Sequence, residues 1–288
     1  MRIRVPATTA NLGPGFDSCG LALDLYLTLI VGEESKAWRI EHQLPDEIPT
    51  DETNMVIQVA KKVAPNLKSR HLIMESDIPP ARGLGSSSAA IVAGIELANQ
   101  LAKLGLSSEA KVRLAAEFEG HPDNVAPAIL GGLVVCSKQP DRDYYVQHAF
   151  PDAAILVVIP KVALLTSESR AVLPRVLSYA DAVRASSVAN VMVAALMAGD
   201  LRLAGEMMER DLFHEKCREK LVPHLSVIRS KVAEFHGYAA VLSGAGPTVL
   251  VLAPHDVSEA LRRELSVLDL EAEVKALRTE HNGVRVFE

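Results

Sequence analysis

Ile78-Pro-Pro-Ala-Arg-Gly-Leu-Gly-Ser-Ser-Ser-Ala-Ala90 is the stretch on which the reading of this chain turns. The two prolines stiffen the approach, and Gly83 and Gly85 permit backbone angles and close contacts that a side chain would block. Ser86 to Ser88 suit the N-terminus of a helix. From Ala89 to Leu104 the residues are mostly Ala, Ile, Val and Leu, which predicts a largely buried helix. Free amides in its first turn, with the helix dipole behind them, would make a cradle for a phosphate. A plain Gly-Ser loop capping a helix has the same local spelling, so other stretches must be weighed with it.

Better-known glycine loops do not fit. A P-loop ends in Gly-Lys-Ser/Thr, and no lysine lies between Arg70 and Lys103. The dinucleotide fingerprint needs a third glycine where Ser88 stands. The lysine strand and Asp-Phe-Gly of a protein kinase are missing, and so is the Gly-x-Ser-x-Gly of a nucleophile elbow.

With 288 residues the chain can bury a large core and divide into two domains, placed at residues 1–150 and 151–288. The formal net charge of -6 gives no footprint for nucleic acid or an anionic membrane, so a polyanionic substrate must be met by local donors and metal ions. Cys19, Cys136 and Cys217 are odd in number and widely spaced, which points to a reducing compartment and to core filling, not a zinc site. The opening Met1-Arg-Ile-Arg-Val-Pro6 lacks the apolar core of a signal peptide, predicting a cytoplasmic protein. No apolar run is expected to reach membrane-spanning length, the longest candidate being Ala153 to Ile159.

Along the chain, Arg2 to Thr8 reads as a strand, followed by a Gly/Pro-rich loop through Asp17. Leucine at every second position from Leu21 to Leu29 predicts a half-buried strand. Strands are expected at Lys36–His42, Arg70–Glu75, Leu133–Ser137 and Tyr144–Ala149, with helices at Asn54–Val63 and from Ser107/Ser108 to about Phe118. The layout is α+β, without strict β-α alternation. After Pro151 a buried strand, Ala154–Ile159, leads into a long helical region from about Ser178 to Phe235, in which Pro223 must start or interrupt a helix. Strands on either side of Gly244-Ala-Gly-Pro247, a helix from about Val257 to Leu265 and a strand near Glu273–Leu277 complete a β-α-β-β-α-β order, the ferredoxin-like plan.

Three loops stand out together: Pro6-Ala-Thr-Thr-Ala-Asn-Leu-Gly-Pro-Gly-Phe-Asp17, Pro79 to Ala89, and Leu242-Ser-Gly-Ala-Gly-Pro-Thr248. In order and spacing they resemble the three motifs of the GHMP small-molecule kinases, over nearly the whole chain. That resemblance implies an N-terminal domain like ribosomal protein S5 domain 2, which binds ATP, and a C-terminal ferredoxin-like domain. The first motif, with His121-Pro-Asp-Asn-Val-Ala-Pro127, is similar to the branch of that family that acts on L-homoserine. The implied activity is ATP-dependent phosphorylation of the homoserine side-chain hydroxyl, on the route to threonine.

The resemblance also implies site residues. The nucleotide phosphates fall to Pro79, Pro80, Ala81, Arg82, Gly83, Leu84, Gly85, Ser86, Ser87, Ser88 and Ala89. The adenine pocket has no sharp signature, and Asn54 with Val56 to Val63 are its plausible neighbours. Family members hold Mg²⁺ with a loop serine and a glutamate; here that means one of Ser86 to Ser88, with Ser87 preferred, and Glu117 or Glu119. Mg²⁺ wants such hard oxygen ligands. Arg170 and Arg218 match the family's substrate arginines, and a guanidinium fork fits a carboxylate. Asn11, Asp17, His121, Asn124 and Gly244 complete the homoserine site.

No strong base is needed for a transfer governed by in-line positioning and charge stabilisation. Asp17 or Asn124 is expected to orient the hydroxyl, with Arg82, Mg²⁺ and helix-terminal amides carrying the charge. A homodimer is the family-based expectation. Two rival readings keep the fold: a kinase for another small alcohol, such as mevalonate or a sugar, and a catalytically silent nucleotide-binding regulator.

Overall fold

A computed structural model describes all 288 residues. The first sheet has seven strands, and its long member is β2 (Cys19–Glu34), paired on one side with β1 (Arg2–Ala10) and on the other with β4 (Arg70–Ser76). The alternating leucines explain the placement, since Leu21, Leu23, Leu25, Leu27 and Leu29 are all buried while Asp24, Tyr26 and Thr28 are only half-buried. The short β3 (Arg39–Glu41) lies parallel to β4, and β5 (Leu133–Lys138) joins the start of β2 to β6 (Asp143–His148). Helices α1 (Met55–Val63), α2 (Ser86–Ala102), α3 (Ser108–Glu119) and α4 (Val125–Leu130) complete this part. The apolar run after the glycine loop makes α2 the central one, packed against α1, α3, β1 and β2.

The second sheet contains β7 (Ala154–Pro160), β8 (Ala239–Leu242), β9 (Val249–Ala253) and β10 (Ala272–Leu277), all antiparallel, in the order β10-β7-β9-β8. Counted along the chain, the order is fourth, first, third, second. With α9 (His224–Glu234) and α10 (His255–Ser266) between strands, this is the expected ferredoxin-like plan. Pro223 stands at the N-cap of α9, so it starts that helix. The remaining helices, α5 (Thr166–Ala171), α6 (Tyr179–Ala198), α7 (Leu201–Met208) and α8 (Glu215–Arg218), lie between β7 and α9 in sequence.

Every residue of β7 is buried because both its faces are covered. Ile155, Val157 and Ile159 join a core of 52 residues that also takes in the first sheet, α2, α6 and α7. Leu156 and Val158 face the other way, into a 13-residue cluster with α9 and α10. The main core is therefore continuous across residue 150, the boundary expected from the sequence.

Three features depart from the sequence reading. Residues 278–287 cross back to the first sheet: Asp24 accepts from the Arg278 amide at 2.7 Å, Leu23 bridges Thr279, and β11 (Arg285–Phe287) pairs with β1. The unit expected at 151–288 thus gives its last strand to its neighbour. Helices α4 and α5, each six residues, stand where no regular element was assigned. The expectation that no apolar run reaches spanning length is corrected by α6, which at 20 residues is long and apolar enough by composition. Its apolarity comes from alanine, valine and methionine, and it buries Ala185, Met192, Ala195 and Leu196 inside the fold.

Candidate active site

The three loops meet in one cleft, lined mostly by polar side chains. Their backbones are stitched together. Thr8 N–H donates to Leu84 O at 3.2 Å, Thr248 N–H to Arg82 O at 3.3 Å, and Gly244 N–H to Ala10 O at 3.1 Å. The Ser243 hydroxyl donates to Gly83 O at 2.5 Å. Gly83 and Gly85 both have positive φ, 77° and 71°, and a Cβ on either would collide, on Gly83 with Ser243 O and on Gly85 with Thr8 Oγ1. Close backbone approach is thus their reason for being glycine. Gly85 is the N-cap of α2, and the first turn is Ser86, Ser87 and Ser88, as the sequence suggested.

Of the expected phosphate loop, Ala81, Arg82, Gly83, Gly85, Ser86, Ser87 and Ser88 line the cleft. Pro79, Pro80, Leu84 and Ala89 do not. Leu84 and Ala89 are buried in the core behind the loop, and the prolines shape only its approach. Arg82, expected as a charge carrier, also has a structural part. Its Nε donates to Pro160 O at 3.0 Å, Nη1 to Pro80 O at 3.0 Å and Ala81 O at 3.4 Å, and Nη2 to Lys161 O. A guanidinium so committed is a strut between the loop and the end of β7.

The two candidate metal glutamates separate cleanly. Glu119, at the C-terminal end of α3, accepts from the Ser87 hydroxyl at 3.3 Å and the Ser88 hydroxyl at 3.1 Å. Glu117 points away from the cleft and pairs with Arg113 at 3.5 Å on the exposed side of α3. Two hydroxyls and a carboxylate form a hard-oxygen donor set, which fits Mg²⁺. Asn54, proposed as a neighbour of the base, is consumed in capping: its Oδ1 accepts from Val56 N–H at 3.0 Å and its Nδ2 donates to Pro49 O at 2.7 Å. Exposed Met55 is the neighbour that reaches the loop, its sulfur 3.6 Å from Ser87 Oγ.

At the other end of the cleft stand Arg170, from α5, and Arg218, from α8. Arg170 forms a two-pronged pair with Asp17, Nη1 to Oδ2 at 3.1 Å and Nη2 to Oδ1 at 2.5 Å. Arg218 is 1% exposed and has no carboxylate partner. Its Nε donates to Ser169 O at 3.2 Å, and Nη1 reaches Gly244 O at 3.1 Å and His214 Nδ1 at 2.8 Å, while Nη2 makes no hydrogen bond. Burial and then the charge of Arg170 push its pKa down to about 10. Burial likewise pushes His214 down and keeps it neutral. Neutral His214 then accepts from Arg218 at Nδ1 and donates from Nε2 to Gly13 O at 2.9 Å. Phe16 stacks on His214, centroid to centroid 5.1 Å, and both guanidinium groups lie over its ring.

Between the two ends lie His121, Asp123 and Asn124, in the turn between α3 and α4. His121 Nδ1 is 2.5 Å from Asp123 Oδ1. Burial opposes charge on His121, but the Asp123 contact outweighs it and the histidine pKa is raised. Asn124 Oδ1 accepts from the Thr8 hydroxyl at 2.8 Å, which leaves its Nδ2 without a protein partner. Asn11 is a strut as well as a lining residue: its Nδ2 donates to Gly244 O at 2.9 Å and its Oδ1 accepts from Asp17 N–H at 3.0 Å. Asn11, Asp17, His121, Asn124, Arg170, Arg218 and Gly244 all line the cleft. Phe16 and Asp123 line it too and were not singled out from the sequence, although both stand inside the quoted motifs.

Residues 54–132 match the family model for the GHMP kinases N-terminal domain, and residues 192–267 that for the GHMP kinases C-terminal region. A homoserine kinase of Listeria innocua is 63% identical over 287 residues, and one of Enterococcus faecalis 55%, each covering 100% of both chains. A homoserine kinase structure from Cytophaga hutchinsonii, 24% identical, superposes with a TM-score of 0.85 over 100% of this chain and 97% of that one, showing the same fold. These likenesses favour neither another alcohol nor a silent regulator. Loops, cleft and sequence agree: the chain belongs to the homoserine kinases, a branch of the GHMP kinase family.

Proposed function

We propose that this kinase transfers the γ-phosphoryl group of ATP directly to the side-chain hydroxyl of L-homoserine, giving O-phospho-L-homoserine. The observation that carries this is Arg218, a buried cation with no carboxylate of its own and with Nη2 unbonded at the wall of the cleft. A buried guanidinium calls for an anion, and the α-carboxylate of an amino acid fits its fork. Asp17, already on Arg170, is the acceptor on offer to an ammonium group or a hydroxyl.

The other end of the cleft suits a triphosphate. The first-turn amides of α2 and the hydroxyls of Ser86, Ser87 and Ser88 supply donors at the positive end of a 17-residue helix. Ser87, Ser88 and Glu119 would hold Mg²⁺, which when bound supplies positive charge beside the phosphates. The homoserine hydroxyl is oriented by Asn124 Nδ2 or Asp17, so that its oxygen meets the γ-phosphorus as the bond to ADP breaks on the far side, its proton leaving to Asp17 or to an oxygen of the transferred phosphoryl group. Positioning and fixed donors carry such a transfer without a strong base.

The glycine loop lies within residues 1–150 and both substrate arginines within 151–288, which supports a nucleotide-binding part and an amino-acid-closing part. A cytoplasmic homodimer, independent of nucleic acid and membrane, completes the reading; the net charge of -6 supports its last two points. A coupled ADP-release assay with ATP and Mg²⁺ tests the function. Turnover is expected with L-homoserine and not with mevalonate or galactose. Turnover on either of those, with none on L-homoserine, sinks the reading.

A further inference from the structure

The arginine end of the cleft poses an electrostatic problem. Two guanidinium groups converge there, and the one carboxylate bonded to either is Asp17, which pairs with Arg170; Asp17, Asp211 and Glu215 act on Arg218 only without a direct contact. Like charges brought together out of water repel strongly. The side chain common to both cations is Phe16, whose ring centroid is 5.5 Å from the Arg170 guanidinium carbon and 5.6 Å from that of Arg218. Both distances fall within the range in which the negative face of an aromatic ring attracts a cation. The ring is itself braced, stacked on His214 with an interplanar angle of 26° and on Phe213 with 22°.

A ring face attracts a cation without consuming any of its N–H groups. Arg218 therefore keeps its Nη2 donors for a ligand, where a second carboxylate in this corner would have taken them. We propose that Phe16 is a positioning residue for the substrate: its π face offsets the repulsion between Arg170 and Arg218 and holds them together as one carboxylate-binding site. The proposal rests on the reading that these arginines receive the homoserine carboxylate. It assigns Phe16 a part that bulk alone cannot fill.

The test drains the ring face while keeping its shape. Phe16 is replaced with mono-, di- and trifluorophenylalanine in the full-length enzyme, and KM for L-homoserine, KM for ATP and Tm are measured. Homoserine KM is expected to climb stepwise, by about tenfold across the series, the scale of a partly desolvated cation–π contact. ATP KM and Tm should stay level. A homoserine KM that does not change along the series overturns the proposal. Phe16→Leu keeps apolar bulk without a π face, and a wild-type homoserine KM in that variant overturns it equally. The fluorinated series decides alone if the leucine variant does not fold. Arg218→Ala separates the two layers of the argument. If that change leaves homoserine KM unmoved, the carboxylate site itself is wrong; if it raises KM while fluorination does nothing, only the part given to Phe16 falls.

Discussion

A buried arginine without a carboxylate is the most informative residue in this chain. Arg218 is anchored by two backbone carbonyls and a neutral histidine, contacts that fix its direction and leave its charge unmatched. Truncating one member of a buried charge pair in a complex carries a large penalty, so Arg218→Ala should raise homoserine KM on the order of a hundredfold with ATP KM little changed. Steady-state kinetics check this, and an unaltered homoserine KM would remove Arg218 from the substrate site. Glu119 and Glu117 allow a second comparison at this scale. Glu119→Gln should raise the Mg²⁺ concentration needed for half-maximal rate about tenfold or more, while Glu117→Gln should match wild type, because only Glu119 reaches Ser87 and Ser88. Sequence could not choose between them, since two residues' separation on a helix turns a side chain to another face. Arg82 makes a related point: a motif shows which residue type is present but not which carbonyls will claim its donors.

Among the elements, α2 is the one on which both chemistry and packing depend. Its apolar run and its start at Ser86 to Ser88 were legible from residue types alone, while Gly85 as the N-cap was not read from them. Less obvious was Glu96, 2% exposed within that run. It accepts from Asn99 Nδ2 at 3.1 Å and Gln100 Nε2 at 2.6 Å, and pairs with Lys111 of α3 at 2.6 Å. Burial works against its charge, but Lys111, Gln100 and Asn99 outweigh it and hold the pKa below the ordinary value. A carboxylate lowered in this way stabilises the fold above about pH 4.5, its ordinary value, and that contribution is lost as pH falls through the lower folded value. Lys111→Met should cost about 3 kcal/mol by leaving a buried carboxylate short of its cation. Chemical denaturation at neutral pH measures the loss, and the same experiment near pH 4 should show a smaller gap between variant and wild type. The short helices α4 and α5 escaped notice because six residues hold too few turns for a period to emerge.

At the scale of the molecule, the two sheets share one large core, and the cleft opens where three loops from both parts are sewn together. The ferredoxin-like order could be read from strands and helices in sequence, because each connection there is local or nearly so. The return of β11 could not, since its partner β1 lies at the opposite end of the chain and no periodicity links them. That return has a consequence for how the protein is made. During synthesis the first sheet should stay one strand short until residues 285–287 leave the ribosome, even though its other strands emerge much earlier. Tyr26, Glu280 and Arg285 then close the seam, with Glu280 accepting from the Tyr26 hydroxyl at 2.5 Å and from Arg285 Nη2 at 2.9 Å. Removing residues 285–288 should lower Tm by several degrees and speed proteolysis, while leaving homoserine KM near wild type in the fraction that folds. Because the seam sets Arg2–Arg4 beside Arg285–Phe287, linking these two strands directly and opening the chain in the exposed Gln139–Arg142 turn should give an active protein whose first sheet no longer waits for β11.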